Sequence, residues 1–397
     1  MSTLEREISG LTAIVGLGIT DVGKVYGRTV SDFAVDAVQK ALSDCGLTPS
    51  DVDGIVTSYG MSGSFADVSA SLGMRDLRLN VNMSAAGATA SAAIQYAASA
   101  VAAGTASCVV YVHADAPLVD PAARSSASYT SGGPGQAPAT GMRSVREAVG
   151  QTGPNALYAM AARRHMDRYG TTSEQLGAVA VSQREWAAGN PIARFREPIT
   201  IEDHQQSRIV CDPLHLLDCC MVSNGGIAFI VTSAERAKDL PQPPVYVLGW
   251  GQGHPVYSMT ADCEFGLRTG AVQSGATAMR MAGVSIDDVD QAQIYDCYTF
   301  TVAITLEDYG FCAKGEGGPF AASGALGPMG SLPTNTGGGQ LSGYYLWGTT
   351  PLSEAVIQGR GQGGSRQAAR NNVIMVSGNG GILDYHGTLI LSPHRKF

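Results

Sequence analysis

Short apolar runs alternate with amphipathic stretches along the whole chain. The runs AIVGLG, GIVTSY, CVVYVHA, IAFIVTS, VYVLGWG, AQIYD, NVIMVSG and TLILSP are rich in β-branched residues and bounded by turn formers, which predicts buried strands. Between them, apolar residues recur at helical spacing over Val30 to Asp44, Ala156 to Arg184, Leu267 to Ala282 and Pro351 to Gln358. This alternation predicts an α/β chain with mostly parallel strands. One stretch departs from the amphipathic pattern: no formal charge occurs between Arg78 and Asp115, and SAAGATASAAIQYAASAVAAG within it is Ala, Ser and Gly almost throughout. Asn82, Gln95 and several hydroxyls would be penalised in lipid, so the stretch predicts a helix buried on all sides, with small residues letting neighbouring backbones approach. A buried helix beside a buried strand implies a layered arrangement with helices between sheets.

Internal repetition organises these elements. GLTPSDVDGI at 46–55 matches GVSIDDVDQA at 283–292, pairing Gly46 with Gly283, Asp51 with Asp288, Val52 with Val289 and Asp53 with Asp290. Each copy follows an amphipathic helix and precedes a strand. Continued loosely, the repeat also relates NMSAAGATASAAIQYAASAVAAG to NTGGGQLSGYYLWGTTPLSEAVIQGRG, each a turn, a helix and then a strand. Two similar halves are therefore expected, over 1–240 and 241–397, with a long excursion at about 117–152 in the first.

Composition narrows the function classes. The net charge of −8, with 15% charged residues, leaves no basic patch for nucleic-acid phosphates. MSTLEREISG lacks the apolar core of an export signal, which points to the cytoplasm. The eight cysteines (45, 108, 211, 219, 220, 263, 297 and 312) contain no CxxC pair, so disulfide-scaffold and zinc-ribbon spacings are absent and reduced thiols are expected. Adjacent Cys219 and Cys220 read as small buried hydrophobes.

Three motifs carry a resemblance. IYDCYTFTVAITLEDYGFC, LPTNTGGGQLSGYYLWG and MVSGNGG resemble the C-terminal motifs of the sterol-carrier-protein-x-like, or lipid-transfer, branch of thiolases, in that family's order. The likeness runs from about Thr12 to the C-terminus. It implies the thiolase fold: two similar halves packed as five layers, α-β-α-β-α, with buried helices between two mixed sheets.

The departures from the family are chemical. Thiolases place a nucleophilic cysteine at the start of the buried helix, where helix dipole and backbone N–H groups favour a thiolate; here Ser84 aligns with it. The family's activating histidine falls in SGYYLWG, where Tyr344 is aligned with it and Tyr345 follows. One of the two faces the site, and Tyr344 is preferred. The second cysteine is replaced within SGNGG, and the family's His-Asp-Cys-Phe reads Tyr295-Asp296-Cys297-Tyr298. Without thiolate or imidazole an acyl-enzyme is disfavoured, while two tyrosines in one cavity offer one acid and one base for cleaving a β-hydroxyacyl thioester. Backbone donors near Ser84, Gly380 and Gly381 suit the enolate oxygen. Asn335 in the Gly-rich turn and His254 in GQGHPVY are candidate substrate contacts, His254 reading better as a surface-loop residue. Asp296 either tunes Tyr295 or anchors a loop.

By resemblance, the pattern is that of lipid-transfer-protein-like steroid aldolases. These cleave a tertiary β-hydroxyacyl-CoA side chain to a 17-ketosteroid and propionyl-CoA, in complex with a companion carrying a zinc ribbon and an OB fold. A homodimer is expected, with coenzyme A entering only as part of the thioester and no metal or other cofactor. Two alternatives stay open: a thiolase drawing its nucleophile from elsewhere, such as Cys297, and a non-catalytic acyl-CoA-binding subunit.

Overall fold

The computed structural model describes residues 8–60, 68–120, 144, 148, 151, 153–255 and 264–396. Its strands are β1 (Thr12–Ile19), β2 (Gly54–Tyr59), β3 (Leu79–Asn82), β4 (Cys108–Asp115), β5 (Ile209–Cys211), β6 (Leu214–His215), β7 (Gly225–Ser233), β8 (Val245–Gly253), β9 (Gln291–Ile294), β10 (Ile374–Gly380) and β11 (Tyr385–Ser392). The longer helices are α1 (Val30–Cys45), α2 (Thr89–Ala102), α3 (Gly153–Tyr169), α4 (Ser173–Ala188), α5 (Ala271–Ala282), α6 (Thr299–Tyr309) and α7 (Thr349–Gly359). Most of the excursion expected at 117–152 lies outside the described residues. The single helical pattern read over Ala156 to Arg184 is two helices, because Gly170 turns left-handed (φ 77°) and Thr172 caps a new start through Gln175 N.

The repeat seen in the sequence is a repeat of local physics. α1 and α5 both end on left-handed glycines, Gly46 (φ 69°) and Gly283 (φ 74°), where a side chain would be strained. Five residues later the Asp51 carboxylate accepts from Thr48 N (2.9 Å), and the Asp288 carboxylate accepts from Ser285 N (2.7 Å). Asp53 then receives Ser107 N and Cys108 N, and Asp290 receives Asn372 N and Val373 N, so each copy clamps the strand beside it.

Nine strands form one run in the order β3-β2-β4-β7-β1-β8-β11-β10-β9. The two sheets expected from the resemblance are thus continuous, joined where β1 pairs antiparallel with β8 over Thr12↔Val247 to Ile14↔Val245. The expectation of mostly parallel strands is corrected as well. Only β2–β3, β2–β4 and β9–β10 are parallel; β4–β7, β1–β7, β1–β8, β8–β11 and β10–β11 are antiparallel.

Alternating side chains divide the core between the two faces. Ala13, Val15, Val110 and Val112 pack with Phe33, Ala37 and Ala41 of α1 and with Ala278 of α5. Ile14, Val109 and Tyr111 pack with Ala93, Ile94 and Ala97 of α2 and with Leu352, Ala355 and Val356 of α7. Strands of both halves turn the latter face toward α2 and α7, which makes these the inner helices and leaves α1 and α5 outside. The Ala-rich stretch is that inner helix α2, and no helix among the described residues is long and apolar enough to cross a membrane.

Candidate active site

The IYDCYTF motif lies at the sheet's end. Ile294 closes β9 and donates its N–H to Asn335 Oδ1 (2.6 Å), while Tyr295 N still pairs with Ser377 O of β10 (3.0 Å). Past that point the chain turns into α6, where Thr301 Oγ1 donates to Tyr295 O (3.1 Å) and Tyr298 O (2.7 Å). Tyr295 is therefore fixed by backbone on both sides of its Cα.

Facing it is a wide turn built on glycine. Asn335, Gly338 and Gly339 all have left-handed φ, and Gly343 N and Tyr344 N each reach back five residues, to Gly338 O and Gly339 O. Asp296, wholly buried, accepts Gln340 N (2.8 Å) and Leu341 N (3.2 Å) and so pins the turn to the motif. A Cβ on Gly339 would fall 2.2 Å from Asp296 Oδ2, so only glycine fits there. The chain leaves the turn extended at Tyr344 (φ −156°), which sends successive side chains to opposite sides.

That parity separates the two adjacent tyrosines. Tyr345 meets Tyr295 hydroxyl to hydroxyl at 2.9 Å, with ring centres 6.5 Å apart at 69°. Tyr344 points the other way, into the core against α7, where its hydroxyl bonds Ser353 Oγ at 2.8 Å. The preference for Tyr344 in the sequence reading is thus reversed by the structure, which brings Tyr345 to Tyr295.

Both Tyr295 and Tyr345 line a cavity of about 340 Å³. Around them stand Tyr158, Tyr298, Trp347, Leu216, Val222 and Ile382, the thiols of Cys219, Cys220 and Cys297, and the bare backbones of Gly87, Gly380 and Gly381. Tyr298 donates to Asn155 Oδ1 (2.5 Å) and packs its ring 4.6 Å from Tyr158, which ties the start of α3 to the motif. Among the described lining residues only Arg208, exposed ahead of β5, carries a formal charge.

Of the other sequence candidates, Gly380 and Gly381 line this cavity and Ser84, Asn335, Asp296 and His254 do not. Ser84 is exposed and not among the lining residues; Ala86 and Gly87 take that part of the wall. Asn335 holds the end of β9, and Asp296 anchors the turn. His254 is exposed, paired with Gln252 Oε1 at 3.0 Å and edge-on to Tyr385. Sequence reasoning overlooked Trp347, Tyr158 and Asn155. A larger, shallower depression of about 700 Å³, lined by Arg164, Arg168, Arg268 and Lys314 with Asp167, Glu264 and Asp308, shares no residue with the phenol cavity. Several of its charges are already paired, Lys314 with Asp308 at 2.8 Å and Arg268 with Glu264 at 3.5 Å. It has the makings of a solvated surface rather than a reaction site.

Electrostatics follow from burial. Desolvation raises the Tyr295 hydroxyl well above the ordinary phenol range, the neighbouring Cys297 adds to this, and the Tyr345 hydrogen bond opposes it. Tyr344 is pushed up to about 12 by burial. Burial likewise pushes the Cys297 and Cys219 thiols up to about 12, and Cys220 well above the thiol range. These thiols are protonated at neutral pH, the opposite of what a nucleophilic cysteine needs. Asp296 is pushed up to about 7 by burial, against the pull of the Gln340 and Leu341 N–H groups. Among the described residues no three His, Cys, Asp or Glu side chains are placed to hold a metal ion.

Comparison with known proteins agrees with this geometry. Residues 251–393 match the family model described as thiolase C-terminal domain-like. The chain is 39% identical to a steroid side-chain-cleaving aldolase of Thermomonospora curvata, over 94% of this chain and 96% of that protein. It is also 39% identical to a 17-hydroxy-3-oxo-4-pregnene-20-carboxyl-CoA lyase of Mycobacterium tuberculosis, over 94% and 97%. A solved Ltp2-ChsH2(DUF35) aldolase superposes with a TM-score of 0.86 at 36% identity, covering 98% of this chain and all of that one. Human mitochondrial 3-ketoacyl-CoA thiolase, at 16% identity and a TM-score of 0.69, shares the fold. The chain belongs to the thiolase superfamily, in the branch that holds the steroid side-chain-cleaving aldolases.

Proposed function

We propose that this protein is a carbon–carbon lyase that performs a retro-aldol cleavage of a steroid β-hydroxyacyl-CoA, releasing a 17-ketosteroid and propionyl-CoA. The observation that carries this reading is the pair of hydroxyls, Tyr295 and Tyr345, 2.9 Å apart in a cavity whose wall is mostly apolar side chains, thiols and glycine backbone, with Tyr158, Tyr298, Asn155 and Arg208 its other polar members.

Burial keeps the Tyr295 phenol neutral, so a standing phenolate is not the base. A relay meets the need instead. The substrate's β-hydroxyl gives its proton to one phenol oxygen, that phenol gives its own to the other, and the other protonates Cα. The Cα–Cβ bond breaks, the β-carbon becomes the ketone carbonyl, and the bond's electron pair passes into the thioester enolate until Cα takes the proton. Each tyrosine ends with one proton, and no bond to the enzyme forms. The enolate oxygen belongs beside Gly87, Gly380 and Gly381, which line the cavity without side chains of their own; such contacts contribute on the order of 3 kcal/mol each. A tertiary alcohol suits this route, since it cannot be oxidised to the β-keto ester a thiolase cleaves.

The protein acts in the cytoplasm as a homodimer and works with a companion that carries a zinc ribbon and an OB fold. The hyphenated pair in the name of the solved aldolase supports a companion. Coenzyme A enters as part of the substrate.

The test is cleavage of a tertiary β-hydroxyacyl-CoA with and without added free CoA. Ketone and the shorter acyl-CoA are expected in equal amounts without it. Ketone release that depends on free CoA would establish thiolysis instead.

A further inference from the structure

The two inner helices begin in the same way, and the comparison isolates one side chain. Ala85-Ala86-Gly87 precedes α2, and Leu346-Trp347-Gly348 precedes α7. In each, the first and third residues bridge (Ala85↔Gly87, Leu346↔Gly348). In each, the first N–H donates to a threonine hydroxyl four residues on, Thr89 Oγ1 at 2.8 Å and Thr350 Oγ1 at 2.9 Å. In each, the middle residue is left-handed, φ 48° at Ala86 and φ 52° at Trp347. Both middle residues line the phenol cavity.

A left-handed conformation is uncommon for any residue but glycine and is a genuine outlier for a bulky one. The first elbow makes the identical turn with a single methyl. The turn itself therefore does not call for an indole, and the Trp347 side chain owes its place to the cavity. Polar bonding does not explain it either. Indole Nε1 is buried without a hydrogen-bond partner among the described residues, as is Nε2 of His113, whose ring centre lies 5.9 Å away. What Trp347 contributes is a flat, half-buried apolar ring two residues from Tyr345, on the same wall.

We propose that Trp347 is the specificity-determining residue of the cavity: its ring is the surface on which a fused polycyclic acyl group lies. This rests on the retro-aldolase reading for its substrate but makes a separate claim, that selection for a large flat acyl group resides in one side chain.

The experiment compares wild type with Trp347→Ala on two tertiary β-hydroxyacyl-CoA thioesters. One carries a tetracyclic steroid; the other is 3-hydroxy-3-methylbutyryl-CoA, which the same chemistry splits to acetone and acetyl-CoA. Because the twin elbow already carries alanine, the variant is expected to keep the turn and fold, with a melting point lowered only by the lost ring packing. KM for the tetracyclic thioester should rise about tenfold or more with kcat little changed, while kcat/KM for the small thioester stays within about twofold. Equal losses on both substrates, or no loss on either, would overturn the proposal.

A second readout needs no turnover. The chain has three tryptophans, and only Trp347 lines the cavity; Trp186 is buried, with Nε1 bonded to Leu326 O. A tetracyclic acyl-CoA lacking the β-hydroxyl should shift tryptophan emission in wild type and not in Trp347→Phe, and butyryl-CoA should shift neither. An unchanged wild-type emission at saturating steroid thioester would refute the contact. A shift in a protein that releases no ketone would uphold the wall and reject the retro-aldolase reading.

Discussion

Tyr344 and Tyr345 are chemically identical neighbours, and backbone parity alone assigns them different work. Tyr345 reaches the Tyr295 hydroxyl, whereas Tyr344 packs in the core on Ser353. Replacing Tyr295 or Tyr345 by Phe removes one link of the proton relay and little packing, so kcat should fall on the order of 10²-fold or more with the fold intact. Tyr344→Phe should leave kcat near wild type and cost about 1 kcal/mol of stability, the size of one buried hydrogen bond. Steady-state rates of the three variants, read beside their melting curves, check this. A rate loss in Tyr344→Phe with none in Tyr345→Phe would reverse the assignment. The sequence showed that phenols replace imidazole but not which phenol. Matching SGYYLWG to the family's histidine motif put Tyr344 at the histidine, whereas the register lies in the glycines: Gly87 and Gly348, each three residues past Ser84 and Tyr345, are the structurally equivalent pair. They lie 261 residues apart, against 237 for Gly46 and Gly283, so no single offset spans both parts of the repeat.

At the scale of elements, the wide turn at Gly339–Gly343 and the strand end at Ile294 are held together by one carboxyl. Asp296 sits where both backbones converge, and burial pushes its carboxyl from an ordinary 3.8 up to about 7. A raised acid pKa means that the native state holds a proton which the unfolded chain releases at lower pH. Asp296 therefore favours folding most below about 4, and its contribution fades as pH rises toward about 7, over a range of roughly a few kcal/mol. Asp296→Asn should flatten that part of the stability profile while loosening the turn slightly, because the amide oxygen can take the place of Oδ2, which accepts both Gln340 N and Leu341 N, but the amide nitrogen cannot accept as Oδ1 does from Gln340 N. Urea midpoints of wild type and variant across this pH window measure both effects. A wild-type profile parallel to the variant's would show that Asp296 does not titrate there. None of this was legible in the sequence beyond two equal options for Asp296, tuning or anchoring, since the choice depends on a contact across more than forty residues. The helices and strands themselves were legible, because hydrophobic periodicity is local. The antiparallel centre of the sheet was not, because pairing direction depends on how connections cross.

Over the whole molecule, the halves meet through main chain at the two elbows. A Cβ on Gly348 would lie 2.3 Å from Gly87 O, and one on Gly87 would lie 2.4 Å from the Tyr295 ring. Gly348→Ala must push the inner helices apart or displace the first elbow, and overpacking of this kind costs about 1–3 kcal/mol. A lower urea midpoint with an unchanged slope is the expected signature; an unchanged midpoint would show that the junction yields freely. This close approach has a consequence for redesign. Because bare backbone, not any reactive group, makes the contact between the elbows, the side chains mounted on them can be exchanged without disturbing the joint, whereas the glycines of the joint should tolerate replacement least.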